Sequence, residues 1–147
     1  MPKSPPEILL VDDNPADLDL TREVLAKSAR PSHVSSVEDG EQGLAFLHRQ
    51  GRYADVPRPD LVVLDLNLPR RDGRLVLAEV KSDPGLRTIP VVVFTTSCSR
   101  QDITRSYELG ANCYISKLGS LQDFFSAIRS IEEFWFGHAT LPDRGNS

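Results

Sequence analysis

The chain has 147 residues, a length typical of one domain, and its 21 acidic and 17 basic residues give a net charge of −4. This balance argues against a nucleic-acid-binding surface, which needs a basic patch. The sequence has neither an apolar stretch approaching the roughly 20 residues of a membrane span nor a signal-peptide core near its N-terminus, so we expect a cytoplasmic protein with no membrane partner.

Five short apolar runs alternate along the chain with helical patterns. The runs predict strands at residues 8–11, 33–37, 61–65, 91–95 and 113–116. A first helix is predicted from Pro15, after the N-cap Asn14, to about residue 28. The other helices follow the turn at 38–40, follow the loop at 66–73, run over about 100–109, and extend from near 120 as far as 136. Such alternation indicates an α/β fold with a parallel sheet between helices.

Three carboxylates stand at the C-terminal ends of two of these runs. Asp12 and Asp13 follow the first predicted strand, and Asp65 ends the third. Ligands bind at this edge of open α/β sheets, and buried acids are costly unless something neutralises them. Helix N-capping is the alternative explanation, but capping needs a single acid. A hard divalent cation accounts for all three, and Mg²⁺ fits best because it keeps its waters and needs one or two direct carboxylates.

Polar residues also mark the ends of the fourth and fifth predicted strands, where Thr95 and Lys117 stand. An acid pair, a lone acid, a hydroxyl and an ammonium in this order resemble the receiver domain of two-component response regulators. The resemblance covers about residues 7–130 and rests on five motifs: Val11-Asp12-Asp13, Leu64-Asp65-Leu66-Asn67-Leu68-Pro69, Gly73, Phe94-Thr95-Thr96 and Gly110-Ala111-Asn112-Cys113-Tyr114-Ile115-Ser116-Lys117.

The fold expected from this resemblance is a flavodoxin-like (βα)5 doubly wound parallel sheet with strand order 2-1-3-4-5. The receiver domain is expected to span residues 7–136. Residues 1–6 and 137–147 lack periodic patterning and are expected to be flexible termini.

The resemblance also implies a role for each candidate residue. Asp65 is expected to be the phosphoacceptor for a sensor histidine kinase. Lys117 is expected to pair with Asp65 and then with a phosphoryl oxygen, to which Thr95 would donate its hydroxyl. Tyr114 is expected to change rotamer as Thr95 moves, which would switch a protein-interaction surface. The expected Mg²⁺ ligands are the side chains of Asp12, Asp13 and Asp65 and the backbone carbonyl of Asn67.

A narrower resemblance points to one subtype. The long loop at 49–60 and the stretches at 112–115 and 131–135 are similar to those of small stand-alone regulators that are paired with cyanobacterial phytochrome kinases. The kinase partner would then be a phytochrome, whereas the downstream partner stays open.

Two positions depart from the family pattern. Leu118 stands where a proline usually follows the lysine, in a peptide bond that is usually cis. A cis bond before leucine costs about 2.5–4 kcal/mol, so either the bond is trans or the site holds strain. Thr96 replaces the small residue that often follows the switch threonine, and we expect its branched side chain to hinder attacking water.

The last predicted helix carries more aromatic area than one sheet can cover. Its core-facing stripe, at 100° per residue, comprises Leu121, Phe124, Phe125, Ile128, Ile131 and Trp135. Phe134 lies off this stripe and Phe136 at its margin. Either the tail folds back over these rings, or Phe134, Trp135 and Phe136 form a partner surface. A symmetric homodimer through the fifth helix and strand is the leading interpretation.

Two readings from other classes remain. A Mg²⁺-dependent phosphatase with an aspartyl nucleophile would resemble this site, but such enzymes generally carry a second aspartate two residues after the first, where this chain has Asn67. A phosphorylation-independent interaction module is the other alternative, and the intact set of acids, hydroxyl and lysine argues against it. We therefore expect a phosphoacceptor rather than an enzyme that acts on a separate substrate.

Overall fold

The computed structural model describes residues 4–143, so the outermost parts of the expected flexible termini, 1–3 and 144–147, lie outside the described residues. Within this part of the chain, strands and helices alternate in the predicted order. The strands are β1 (Glu7–Val11), β2 (His33–Val37), β3 (Leu61–Leu64), β4 (Val91–Thr95) and β5 (Cys113–Ser116). The α-helices are α1 (Pro15–Ala26), α2 (Gly40–Leu47), α3 (Gly73–Ser82), α4 (Arg100–Glu108) and α5 (Leu121–Glu132).

The strands form one parallel sheet in the order β2-β1-β3-β4-β5, which confirms the predicted doubly wound topology. The central strands are buried on both faces, as their continuous apolar runs predict. Because all strands are parallel, their C-terminal ends meet at one edge of the sheet.

Each face of the sheet packs against its own helices. Alternate residues of β1 point to opposite faces: Leu9 and Val11 join the side chains of α2 and α3, whereas Ile8 and Leu10 join those of α1 and α5. The two apolar cores hold the sheet between two helical layers. The loops that follow the strands lie at the C-terminal edge of the sheet.

The helix starts are set by polar residues that accept a hydrogen bond from a backbone N–H of the first turn. This pattern places helix N-termini next to the loops at the C-terminal edge of the sheet. The capping residues of the five α-helices in the described chain are Asn14, Asp39, Asp72, Ser99 and Ser120.

The fifth helix differs from prediction at its start. Leu121 was assigned to the core stripe, but it is 57% exposed: it is the first residue of α5, and the contact of this helix with the sheet begins at Phe124, whose ring packs against Phe94 of β4. Phe124, Ile128 and Ile131 are buried as predicted. After Glu132 the helix continues as a π-helical turn over Glu133–His138.

Two further points bear on the sequence expectations. The Lys117–Leu118 peptide bond is trans, which resolves the alternative left open by the missing proline. Among the residues that the structure describes, none of the helices combines the length and the apolar character needed to cross a membrane.

Candidate functional site

The predicted side chains meet at the C-terminal edge of the sheet because hydrogen bonds between strands continue past the strand ends. The N–H of Asp12 donates to the carbonyl oxygen of the last residue of β2 at 3.1 Å, and the N–H of Asp65 donates to that of β1 at 2.9 Å. The N–H of Lys117 likewise donates to the carbonyl oxygen of the last residue of β4 at 2.7 Å. These backbone hydrogen bonds hold the three residues at one edge of the sheet independently of any side-chain contact.

The three predicted carboxylates form one cluster. Asp12, Asp13 and Asp65 each offer an oxygen atom, and these atoms lie within 4.8 Å of one another. Asp12 and Asp65 are buried and Asp13 is exposed, so the cluster opens to solvent on one side. Clustered carboxylate oxygens with access to water are the ligands that a hard divalent cation prefers. The residues present fit the predicted metal.

The predicted fourth ligand lies in the loop after β3. Asn67 donates its N–H to Oδ1 of Asp65 at a long 3.4 Å, so this loop folds back toward the acidic cluster. The N–H of Asn14 similarly donates to Oδ1 of Asp12 at 2.9 Å. These contacts orient the carboxylates, and the metal contact of the Asn67 carbonyl stays a prediction.

Lys117 is the positive charge of the site. Its ammonium is 2.5 Å from Oδ2 of Asp12, 3.0 Å from Oδ2 of Asp65 and 2.9 Å from Oδ2 of Asp17. An ammonium has three N–H donors, so three carboxylates saturate it. The contacts with Asp12 and Asp65 follow from the predicted strand ends, but Asp17 was not predicted. Its position in the first turn of α1, four residues after Asp13, is the sequence signal that could have identified it.

Burial and charge act against each other at this ion cluster. Burial by itself lowers the pKa of Lys117, but the hydrogen bonds and charges of the surrounding carboxylates outweigh it and hold the pKa above its usual value. Burial raises the pKa of Asp12, and it outweighs the opposing effect of the hydrogen bond from Lys117. The lysine is therefore firmly charged, and a cation beside Asp12 would offset the cost of burying its carboxylate.

The predicted switch hydroxyl lies one strand away from Asp65. Thr95 ends β4 and is fully buried, and its Oγ1 accepts the N–H of Ser97 at a long 3.5 Å. The structure thus connects Thr95 to the loop between β4 and α4. Its contact with a phosphoryl group remains a prediction.

The fold and site agree with the comparison to known families. Residues 8–129 match the family model of the response regulator receiver domain. The chain belongs to this family. It is 49% identical over 140 residues to the response regulator Rcp1 of Synechocystis sp., in a match that covers 95% of both chains. The predicted receiver domain is therefore confirmed as the family of this chain.

Solved receiver structures are also similar to this one. The phosphorylated cyanobacterial phytochrome response regulator RcpA superposes with a TM-score of 0.92 at 51% identity, covering 95% of this chain and 100% of that one. The Mn²⁺-bound form of Rcp1 has a TM-score of 0.92 at 49% identity, with the same coverage. The bacteriophytochrome response regulator AtBRR has a TM-score of 0.74 at 42% identity, covering 96% of this chain and 100% of its own. The predicted subtype resemblance agrees with these relatives.

In this receiver, the predicted switch tyrosine is tethered to the loop that follows Thr95. The hydroxyl of Tyr114 donates to the carbonyl oxygen of Ser97 at 2.9 Å, and the hydroxyl of Ser97 donates to Asp102 at 2.5 Å. Asp102 also forms an ion pair with Arg74 at 2.8 Å. The Ser97 hydrogen bond, with help from Arg74, lowers the pKa of Asp102. This chain of contacts joins the starts of α3 and α4 to β5, and it was not predicted.

The predicted interface aromatics are split between solvent and core. Phe134 is 53% exposed, and its ring meets that of Trp135 edge-on with centroids 5.0 Å apart. Trp135 and Phe136 are half-buried and pack against the core between the sheet and the α1–α5 layer. The N–H of Ala139 donates to the carbonyl oxygen of Phe134 at 2.7 Å, and this hydrogen bond closes the π-helical turn that carries the three rings. Of the three rings, Phe134 presents the most apolar surface to a partner.

Proposed function

We propose that this receiver accepts a phosphoryl group from a sensor histidine kinase on Asp65 and signals through a changed protein-interaction surface. The proposal rests on the position of Lys117. Its ammonium lies 3.0 Å from Asp65, beside a carboxylate cluster suited to a divalent cation. Asp65 is the proposed nucleophile because the resemblance to receiver domains assigns this role to the acid at the end of the third strand, and Asp65 is buried there beside the ammonium of Lys117. Because kinases draw on ATP, we expect this exchange to take place in the cytoplasm.

The proposed chemistry is an in-line transfer. A carboxylate oxygen of Asp65 forms the new O–P bond, and the P–N bond to the kinase histidine breaks, so its electron pair returns to the imidazole nitrogen. Asp12, Asp13, Asp65 and the carbonyl of Asn67 would hold Mg²⁺. The bound ion would neutralise charge that develops on the phosphoryl oxygens. After the transfer, Lys117 would pair with an oxygen of the phosphoryl group, because its ammonium already lies beside the accepting carboxylate.

The proposed switch starts from Thr95. Its hydroxyl would move toward a phosphoryl oxygen, and the loop bonded to it through Ser97 would follow. Tyr114 would then lose its hydrogen bond to the Ser97 carbonyl and become free to change rotamer. A local change of charge would thus alter the surface made by α4, β5 and α5.

The proposed kinase is a phytochrome. Three solved relatives named as phytochrome or bacteriophytochrome response regulators are matched over at least 95% of this chain, at 38–51% identity. A match over nearly the full length of such relatives supports the same class of sensor for this receiver. Its downstream target would be a protein that recognises the phosphorylated surface.

The test is the intact mass of the protein after incubation with acetyl phosphate and Mg²⁺. We expect the wild type to gain one phosphoryl group and Asp65→Asn to gain none. Asp55→Asn is the matched control, because it makes the same change in an exposed loop and should label like the wild type. Labelling of Asp65→Asn at the wild-type level would overturn the assignment of the phosphoacceptor.

The same experiment separates the receiver from an aspartyl-nucleophile phosphatase. A receiver takes up one phosphoryl group and releases it slowly, whereas a phosphatase turns over many equivalents of a small phosphoester. Sustained turnover of p-nitrophenyl phosphate would favour the phosphatase. A wild-type protein that is never labelled would favour a phosphorylation-independent interaction module.

We also propose that two copies associate symmetrically through α5 and β5. Phe134 is largely exposed beside the end of α5, and β5 is an only partly covered strand at the edge of the sheet. A self-complementary contact of this kind gives a closed dimer. Phe134→Asp should reduce the sedimentation mass of the dimer to that of the monomer. Leu75→Asp is the control, because Leu75 on α3 is similarly exposed, at 58% against 53% for Phe134. An unchanged mass for Phe134→Asp at high concentration would exclude this interface.

A further inference from the structure

Besides Asp12 and Asp65, a third carboxylate contacts the ammonium of Lys117. Oδ2 of Asp17 is 2.9 Å from the ammonium of Lys117. The backbone of Asp17 is engaged elsewhere, since its N–H donates to Oδ1 of Asn14 at 3.2 Å and its carbonyl accepts the hydroxyl of Thr21 at 2.8 Å. Asn14 therefore caps the helix, and the Asp17 carboxylate is available to pair with the ammonium of Lys117.

Asp17 differs from the other two partners of Lys117. Asp12 and Asp65 belong to the carboxylate cluster that suits a divalent cation, whereas Asp17 does not. A cation at the cluster attracts the oxygens of Asp12 and Asp65 and repels the nearby ammonium. Both effects weaken the hold of these two acids on Lys117. Asp17 stays available as an acceptor at the same distance.

We propose that Asp17 is a positioning residue that keeps Lys117 beside Asp65 while a divalent cation occupies the site. By holding the ammonium, it also releases the oxygens of Asp12 and Asp65 for the metal. This inference rests on the proposed phosphoacceptor function and adds a residue to it. Asp17 acts through Lys117 and does not itself touch the metal or the phosphoryl group.

The test measures Mg²⁺ binding to the unphosphorylated protein by NMR titration of backbone amides. Asp17→Asn should raise the dissociation constant roughly three- to tenfold, because Lys117 then pairs only with Asp12 and Asp65 and competes with the metal for their oxygens. Asp17→Glu keeps the charge and should restore most of the affinity. Asp19→Asn is the matched control: it removes the same charge from an exposed position of the same helix, so we expect less than about a twofold effect.

A double-mutant cycle distinguishes positioning from simple charge. If Asp17 acts through Lys117, the effect of Asp17→Asn should shrink to that of Asp19→Asn when Lys117 is alanine. Asp17→Ser provides a second neutral variant should Asp17→Asn fold poorly, and the native amide spectrum verifies folding of each protein. Equal effects of Asp17→Asn and Asp19→Asn, or an undiminished effect without Lys117, would overturn the inference. Failure of the phosphoacceptor function would look different, because the wild type itself would then gain no phosphoryl group on Asp65.

Discussion

Gly73 packs so closely behind Asp65, the proposed phosphoacceptor, that adding a single methyl group at residue 73 should displace Asp65. A Cβ at this first residue of α3 would lie 2.2 Å from the carbonyl oxygen of Asp65 and 2.6 Å from Cα of Leu66. Ordinary contact begins near 3.4 Å, so the clash is about 1.2 Å deep. Both neighbouring atoms belong to the backbone and cannot rotate away. Gly73→Ala must therefore move either the loop that carries Asp65 or the start of α3.

We expect this shift to lower both stability and reactivity. Overpacking of this kind costs about 1–3 kcal/mol of unfolding free energy, which exceeds or offsets the roughly 1 kcal/mol that alanine gains over glycine in a helix. A displacement of about 1 Å at a reacting group can slow a reaction about 100-fold. We therefore expect Gly73→Ala to slow labelling of Asp65 by acetyl phosphate by about that factor.

The control for Gly73→Ala is Gly85→Ala. A Cβ at Gly85 would meet the side-chain oxygen of Asp83 at 3.3 Å, and this atom can shift. We expect Gly85→Ala to change the urea-unfolding free energy by less than about 0.5 kcal/mol and to label at the wild-type rate. If Gly73→Ala labels as fast as Gly85→Ala, the alignment of Asp65 does not depend on the backbone contact with α3.

Three further substitutions test individual side chains at or near the site. Lys117→Met leaves buried carboxylates without their countercharge, so the free energy of unfolding in urea should fall by about 3–5 kcal/mol. Mg²⁺ should raise the unfolding free energy more in this variant than in the wild type. An equal effect of Mg²⁺ on both proteins would contradict this. Thr96→Ala should shorten the lifetime of the phosphorylated form after the donor is removed, because attacking water gains access, and equal decay rates would refute it. Tyr114→Phe loses the hydrogen bond to Ser97, worth about 1 kcal/mol, and should speed amide exchange in the loop after β4; unchanged exchange would show that this tether does not hold the loop.

The sheet and the acidic cluster could be predicted from the sequence because both follow from short-range patterns. Strands buried on both faces are continuous apolar runs, and three of the five predicted strands have the observed bounds. Once the strands are parallel, their C-terminal ends must share an edge. The convergence of Asp12, Asp13, Asp65 and Lys117 then needs no knowledge of side-chain rotamers.

The remaining contacts depend on features that a sequence pattern does not carry. The ion pair of Asp17 with Lys117 requires the first turn of α1 to come within side-chain reach of the residue that follows β5, which depends on the packing of α1 against α5. The link from Arg74 through Asp102 to Ser97 depends on loop conformations between three elements. Leu121 was wrongly assigned to the core because a helical wheel has no information about the residue at which the helix begins to contact the sheet. In each case the missing quantity is the relative placement of elements.

The site carries an excess of negative charge, which suits it to binding a cation and then an anionic group rather than to a permanent ion pair. Asp12, Asp13, Asp17 and Asp65 together with Lys117 leave a formal charge of −3. Burial increases the repulsion among these acids and already raises the pKa of Asp12. A divalent cation removes most of the excess, and only then can an anionic phosphoryl donor approach Asp65 without a large electrostatic penalty. We therefore expect metal binding and phosphoryl acceptance to be coupled through this one charge cluster, so that labelling of Asp65 and stabilisation by Mg²⁺ rise over the same range of metal concentration.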